Sequence, residues 1–363
     1  MKILHYVETD NVSFRIPWIG LMKEMKRRGV TPAVLCHPGG NMEQGALAEG
    51  IETYTWRPVC KRVPMLNRKY PEIIMRRAVP DIVHTRLSDA AAIAGYWGQT
   101  LGVPTIGMFD KPAKAKYYRH CDHYTSCSRW VKDYMTDQGI PEDRVDIVYN
   151  SVDVGRYARD AAARNEFRRA NAIDEGDVVF VGAGRFDESK GFDVLIRAFA
   201  KFSRQVEHSF LVLAGSGEER AAYVRLAAEL GVQNRVLISK SFVYDIRPWL
   251  WGADAFVLSS KAEPFGIIVL EAMASGLPII ATSTGAPPEF IEDGRSGLLT
   301  PPSDPEAMAS SMMKMYEMDK SAKNEMKAAA MTSLSAFTSE AIAVKQIQVY
   351  ERVLERSRER RGL

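Results

Sequence analysis

The stretch DAFVLSSKAEPFGIIVLEAMASGLPII, residues 254–280, decides the fold. Its opening run is short and rich in Val, Leu and Phe, and reads as a strand buried on both faces. A polar loop follows; Pro264 fits a first helical position, the apolar run from Ile267 is helical, Gly276 fits the helix end, and LPII opens the next strand. Strand, tight loop, helix and strand make the repeating unit of a parallel sheet. The expected helix opening, around Phe265 to Ile267, turns unpaired N–H groups and the positive end of the helix dipole toward whatever lies before it, which suits a diphosphate.

Two carboxylates bracket that opening. Glu263 precedes the helix and Glu271 lies inside it, eight residues on. At 1.5 Å of rise per residue they are at most about 12 Å apart along the axis, the reach of one carboxylate at each end of a diphosphate-linked ligand. A carboxylate is acceptor-only and takes two hydroxyl donors at once, the pair that a sugar or ribose diol offers. Taken alone, the pattern also fits two ordinary surface charges.

A second segment, VVFVGAGRFDESKGFDVLIRAF at residues 178–199, repeats the arrangement. A glycine turn ending at Gly184 follows a strand, then come Arg185 and Lys190, then a helix expected near Gly191. Two cations beside a helix start suit a diphosphate leaving group and can stand in for a metal. The chain has no Asp-x-Asp triplet of the kind that holds a divalent ion on a nucleotide sugar, so neither metal nor cofactor is expected. GAGRFD is also a partial dinucleotide fingerprint, but it lacks the third glycine and is weak support for NAD.

Outward from these segments, the pattern continues to both ends. SFLVLAG, RVLIS and LPIIATS lie around them; KILHYV, TPAVLC, PDIVHT, VPTIGMF and DIVYN occupy the first 150 residues, with helix-like stretches such as residues 16–28 between. The polar segment beginning NSVD at residues 150–153 interrupts the series, and 363 residues are comfortable for two domains. The expected fold is α/β, two doubly wound Rossmann-like domains facing a central cleft: residues 1–152, with a C-terminal helix packing back on it from about 339, and residues 153–338.

Composition narrows the class. With 46% hydrophobic and 26% charged residues, and no apolar run near the roughly 20 residues that span a bilayer, a globular, non-spanning chain is expected. The first residues lack the basic flank and apolar core of a secretory signal, pointing to the cytoplasm. Cys36, Cys60, Cys121 and Cys127 show no paired spacing, and read as buried thiols rather than disulfides or a zinc site. The net charge of +3 is uneven: residues 1–150 hold 21 basic against 16 acidic side chains, net +5, and the rest 27 against 29, net −2. The excess gathers at Arg57, Lys61, Arg62, Arg68, Lys69, Arg76 and Arg77 and in KPAKAKYYR at 111–119. It is either a solvated surface or a contact with an anionic membrane face or phosphorylated acceptor, where each basic residue contributes about 1 kcal/mol.

Together, Glu263 and Glu271 in the E-x7-E pattern opening with EPFG, R-x4-K-G at Arg185, Lys190 and Gly191, and the turn NSVD resemble the large family-4 group of GT-B glycosyltransferases. The resemblance is strong over the second half and rests on element order in the first. It implies a retaining sugar transfer from a nucleotide sugar to a glycan or lipid-linked acceptor in polysaccharide, lipopolysaccharide or glycolipid synthesis; UDP is the expected base because UDP sugars are common, and Arg185 and Lys190 make metal independence the expectation. Arg185 and Lys190 would hold the diphosphate, Glu271 the ribose, and Glu263 the transferred sugar. The backbone at Phe265, Gly266 and Ile267 would touch phosphate or sugar, and the base would lie near Ser241, Phe242, Val243 and Tyr244.

In the first domain, His84 is expected to end a strand and face the cleft near the sugar, with Arg86 and Asp110 at neighbouring strand ends. Where the family has a Gly-Gly loop after the first strand, this chain reads ETDNVSFRIPW, so Asn11, Ser13 or Arg15 would occupy that space and help select the acceptor. Arg15→Ala is expected to change acceptor KM more than donor binding. A nucleotide-sugar epimerase, hydrolase or phosphorylase keeps the same fold. A non-catalytic module that binds polyanions or membranes is the remaining alternative, and the intact Arg185, Lys190, Glu263 and Glu271 set argues against it.

Overall fold

The computed structural model describes residues 1–9, 14–59 and 69–362. Two compact units divide the chain: Met1–Ser151 with Phe337–Leu363, and Val152–Ala336.

In the first unit, βα repeats run from β1 (Lys2–Val7) and α1 (Arg15–Arg27) through β2 (Thr31–Cys36), α2 (Asn41–Ala48), β3 (Glu52–Thr55), α3 (Lys69–Ala78) and β4 (Ile82–Arg86). They continue with α4 (Ser88–Leu101), β5 (Thr105–Phe109), β6 (His123–Ser126), α5 (Arg129–Asp137) and β7 (Val145–Ile147). The seven strands pair in parallel in the order β3-β2-β1-β4-β5-β6-β7. The order reverses between β1 and β4, so the sheet has a switch point there. Buried runs such as IVHTR in β4, where every residue is inside, show why this half lacks simple alternation: helices cover both faces.

The second unit begins with α6 (Val154–Tyr157) and α7 (Ala161–Ala170), then β8 (Val178–Ala183), α8 (Phe192–Phe202), β9 (Ser209–Ala214), α9 (Arg220–Glu229) and β10 (Val236–Ile238). It goes on with α10 (Arg247–Gly252), β11 (Ala255–Leu258), α11 (Ile267–Ala274), β12 (Ile279–Thr282), β13 (Leu298–Thr300), α12 (Pro305–Glu317) and α13 (Lys320–Leu334). Its parallel sheet has the order β10-β9-β8-β11-β12-β13, with the switch point between β8 and β11. A core of Phe180, Phe192, Leu195, Phe199 and Phe202 under the methionines of α12 fixes α8 against this sheet.

The final helix, α14 (Ser339–Arg361), belongs to the first unit. Thr338 caps it by accepting from the N–H of Ala341 at 3.2 Å. It packs on α1, and Arg352 pairs with Asp146 at 2.7 Å. No described helix is long and apolar enough to cross a membrane. Cys36, Cys121 and Cys127 are buried; Cys60 lies outside the described residues, as do Asn11, Ser13, Lys61, Arg62 and Arg68.

Candidate active site

Ligands of doubly wound sheets bind beyond the carboxyl ends of the strands at the switch point. In the second unit that place is framed by the loops after β8 and β11, which carry residues 184–191 and 259–266. Three contacts join them. Ser259 Oγ donates to the Lys190 carbonyl at 2.8 Å, the Lys261 N–H donates to the Ser189 carbonyl at 2.8 Å, and Gly191 sits so close that a Cβ would lie 2.2 Å from the Ser259 carbonyl oxygen. Gly191 also has φ +61°, so a side chain there is excluded twice over.

Glu263 is only 6% exposed. Its Oε2 accepts from Lys190 Nζ at 2.7 Å and from Ser260 Oγ at 2.9 Å, and its carbonyl accepts the Ala286 N–H at 2.9 Å. Gly285, with φ +74°, lies against the same carbonyl; a Cβ would come within 2.1 Å of it. A buried carboxylate so held needs its cation. Lys190 supplies one donor to Glu263 and, being an ammonium, has two more to offer. Gly184 lies beside the Lys190 stem, where a Cβ would meet its methylenes at 3.6 Å. Arg185 is exposed, and its guanidinium is paired with Asp187.

The helix opening differs from the sequence expectation in one detail. Pro264 is not a first helical residue: α11 starts at Ile267, and Gly266 in the left-handed region, φ +91°, is its N-cap. The reason is Gly266 itself, whose left-handed backbone cannot sit inside a right-handed helix, so the helix begins after it. Gly266 has no side chain to cap the helix, so no side chain takes up the first N–H groups of α11, of which that of Val269 donates to the Gly266 carbonyl at 2.9 Å. The Phe265 ring is buried and packs on Phe290 at 5.7 Å, leaving its backbone as the part near the site.

Glu271 lies on α11, and its Oε1 accepts from the Tyr157 hydroxyl at 2.6 Å. Although the side chain keeps partial contact with solvent, burial pushes its carboxyl up to about 7, against the Tyr157 hydrogen bond and the Arg156 charge, which both favour the ionised form. Tyr157 carried no signal in sequence, since a lone tyrosine in a polar stretch reads as surface. Ser260 and Gly285 were missed for the same reason.

Ser241, Phe242 and Val243 follow β10, and the groove they face is lined by neither Glu263 nor Glu271. They line it, about 590 Å³ in volume, with Arg220, Asn171 and Trp249. Phe242 and Tyr244 are 60% and 90% exposed, their rings in edge contact at 5.0 Å.

In the first unit, His84 corrects its expectation. It is the middle residue of β4, not a strand end, and is 1% exposed. Nδ1 shares a 2.6 Å hydrogen bond with the Tyr350 hydroxyl of α14, Nε2 lies 3.5 Å from Thr125 Oγ1, and the His5 ring is 5.6 Å away. Desolvation by this burial holds its pKa well below the usual histidine range. So enclosed, the imidazole is an interior group. At the carboxyl end of the same strand Arg86 is 3% exposed, forks onto Asp110, donates to Asn150 Oδ1 at 2.7 Å and lies 3.8 Å over the Phe14 ring.

This geometry has relatives. The family model described as glycosyl transferases group 1 matches residues 163–331, and that described as Glycosyltransferase Family 4 matches residues 18–156. The chain belongs to the group 1 glycosyltransferases of the GT-B fold, and it is a glycosyltransferase. It is 28% identical over 311 residues, 85% of this chain and 87% of the relative, to the lipopolysaccharide core biosynthesis glycosyltransferase LpsE of Rhizobium meliloti. It is 29% identical over 313 residues, 78% of each chain, to a GDP-mannose-dependent alpha-mannosyltransferase of Mycobacterium tuberculosis. Several other curated relatives are matched over about half of their own length. The crystal structure of Anabaena HepE in complex with UDP and glucose superposes with a TM-score of 0.85 at 18% identity, covering 97% of this chain and 100% of that one, and establishes the likeness of fold.

Proposed function

We propose that this protein is a retaining glycosyltransferase that moves a sugar from a nucleoside diphosphate sugar to a lipid-linked or glycan acceptor of lipopolysaccharide or glycolipid synthesis. The observation that carries it is the joining of the β8 and β11 loops around the Lys190–Glu263 pair, four residues ahead of the uncapped start of α11. Arg185, Lys190 and the N–H groups of α11 would receive the diphosphate, Glu263 the sugar hydroxyls, and Glu271 the ribose diol. In the transfer, the acceptor oxygen bonds to the anomeric carbon on the face from which the phosphate leaves, the carbon–phosphate oxygen bond breaks, and the acceptor's proton passes to the departing phosphate. Cations at the leaving group take the developing charge, so the reaction needs no metal.

UDP is the proposed base, supported by the UDP in the HepE complex; the mannosyltransferase relative, named for GDP-mannose, makes GDP the competitor. Action at an anionic membrane face is supported by α3, which exposes Tyr70 and Ile73 beside Arg76 and Arg77.

The test is a thermal melt with UDP, GDP, ADP, dTDP and NAD in EDTA, on wild type and Glu271→Ala. A ligand at 100 times its Kd adds about 2.7 kcal/mol. One nucleoside diphosphate that stabilises wild type and not the variant supports the reading; a response to NAD alone, or to nothing, overturns it.

A further inference from the structure

We propose that Tyr157 is a positioning residue for Glu271: its hydroxyl fixes the carboxylate in one orientation, holding one oxygen and leaving the other for the ribose diol. The inference rests on the ribose role given to Glu271 above.

Tyr157 is buried, and it is anchored at three points. Its hydroxyl meets Glu271 Oε1 at 2.6 Å, its carbonyl accepts from Trp251 Nε1 at 3.1 Å, and its one-turn helix α6 is capped by Asp153, whose Oδ1 accepts the Arg156 N–H at 3.1 Å. A four-residue helix does not persist alone; these contacts hold it, and so hold the hydroxyl. Burial keeps the phenol protonated far above its ordinary range, so it remains a donor at every working pH. Among the described residues Glu271 Oε2 has no hydrogen-bond partner. One oxygen is thus tied to the protein, and the other is left for the ligand.

A hydroxyl donating to a carboxylate favours its charged form, as does the nearby Arg156 cation. Both act against burial, which leaves the group close to balance near neutral pH. A diol with two O–H donors needs the charged acceptor. Removing the Tyr157 hydroxyl tips the balance to the protonated acid, which binds the diol poorly, and restores the charge only at higher pH.

The experiment is isothermal titration of wild type, Tyr157→Phe and Glu271→Ala with UDP and GDP between pH 6 and 9. For the nucleotide that binds, wild-type affinity should rise with pH through about 7 and level off. In Tyr157→Phe the rise should move up by about one pH unit, costing about tenfold in affinity at pH 6.5 and little at pH 9. A loss equal at every pH, or none, while Glu271→Ala still abolishes binding, overturns the positioning role and leaves the ribose role standing. Unchanged binding by Glu271→Ala overturns the ribose role and this inference with it. Should Tyr157→Phe fail to fold, the wild-type arm decides: affinity flat from pH 6 to 9 overturns the proposal.

Discussion

Lys190 Nζ and Glu263 Oε2 are 2.7 Å apart, and they come from loops 73 residues distant in sequence. The pair ties the two switch-point loops of the second unit together. Lys190→Met would leave Glu263 buried with Ser260 as its remaining side-chain donor among the described residues, and should cost about 1–3 kcal/mol in urea unfolding. Lys190→Met combined with Glu263→Gln should recover part of that loss while sugar transfer stays abolished. A double variant less stable than the single one would show that the pair does not carry this energy.

Gly285 gives the same loop its backbone constraint. In Gly285→Ala the new Cβ would meet the Glu263 carbonyl oxygen at 2.1 Å, in a conformation, φ +74°, that alanine resists. The expected result is a loss of about 1–3 kcal/mol of stability and weaker nucleotide binding, because Glu263 is displaced. Melting and titration curves that match wild type would count against the role of this turn.

Arg86 and Asp110 form the corresponding tie in the first unit. Lysine keeps the charge but has no fork for Asp110 and Asn150 and no flat face for the Phe14 ring. Arg86→Lys should therefore lose about 1–3 kcal/mol, and a double-mutant cycle of Arg86→Met with Asp110→Asn should show a coupling above about 1 kcal/mol. Additive effects would mean that the two side chains are neighbours without being partners.

Acid should weaken the first unit through His5 and His84, whose burial disfavours the charged imidazole. Neither ring nitrogen of His5 has a hydrogen-bond partner among the described residues, and burial with the Arg86 charge nearby lowers its pKa to about 3. The groups facing it are Trp18 from α1 and His84 and Arg86 from β4; Tyr350 from α14 completes the cluster on His84. Above the ordinary histidine value of 6.5 both folded and unfolded chains leave His5 neutral. Below it the unfolded chain gains a proton that the folded one refuses, so stability falls as pH drops from 6.5 toward 3. At 1.36 kcal/mol per unit this is about 2 kcal/mol for His5 between pH 6.5 and 5. Urea midpoints measured at both values should differ accordingly, and His5→Leu should reduce the slope; equal slopes in the two proteins would be the contrary result.

Much of the second unit was legible because its strands are short apolar runs and its loops carry charge and glycine at fixed spacing. Glu263, Lys190 and Gly266 could be nominated from their place after VVFVGAG and DAFVLSS, and the structure brings them together. His84 was misjudged because PDIVHT looks the same whether the imidazole caps the strand or fills the interior; a side chain 266 residues away decides which. Tyr157 was invisible for the converse reason, since its partner Glu271 is 114 residues on and nothing local distinguishes the phenol from a surface group. Spacing reports what a loop contains, whereas burial and long-range partners are set by packing that no short window holds.

The placement of α14 also has a consequence for the order in which the protein is made. Synthesis runs from the amino end, so β4 leaves the ribosome long before the helix whose Tyr350 hydroxyl satisfies His84. Everything from Val152 to Ala336 is translated in the interval, and that span is a compact unit with its own sheet. The unit begun first is therefore finished second: its interior histidine and the α1 surface under α14 wait, uncovered, while the second unit is made and able to fold.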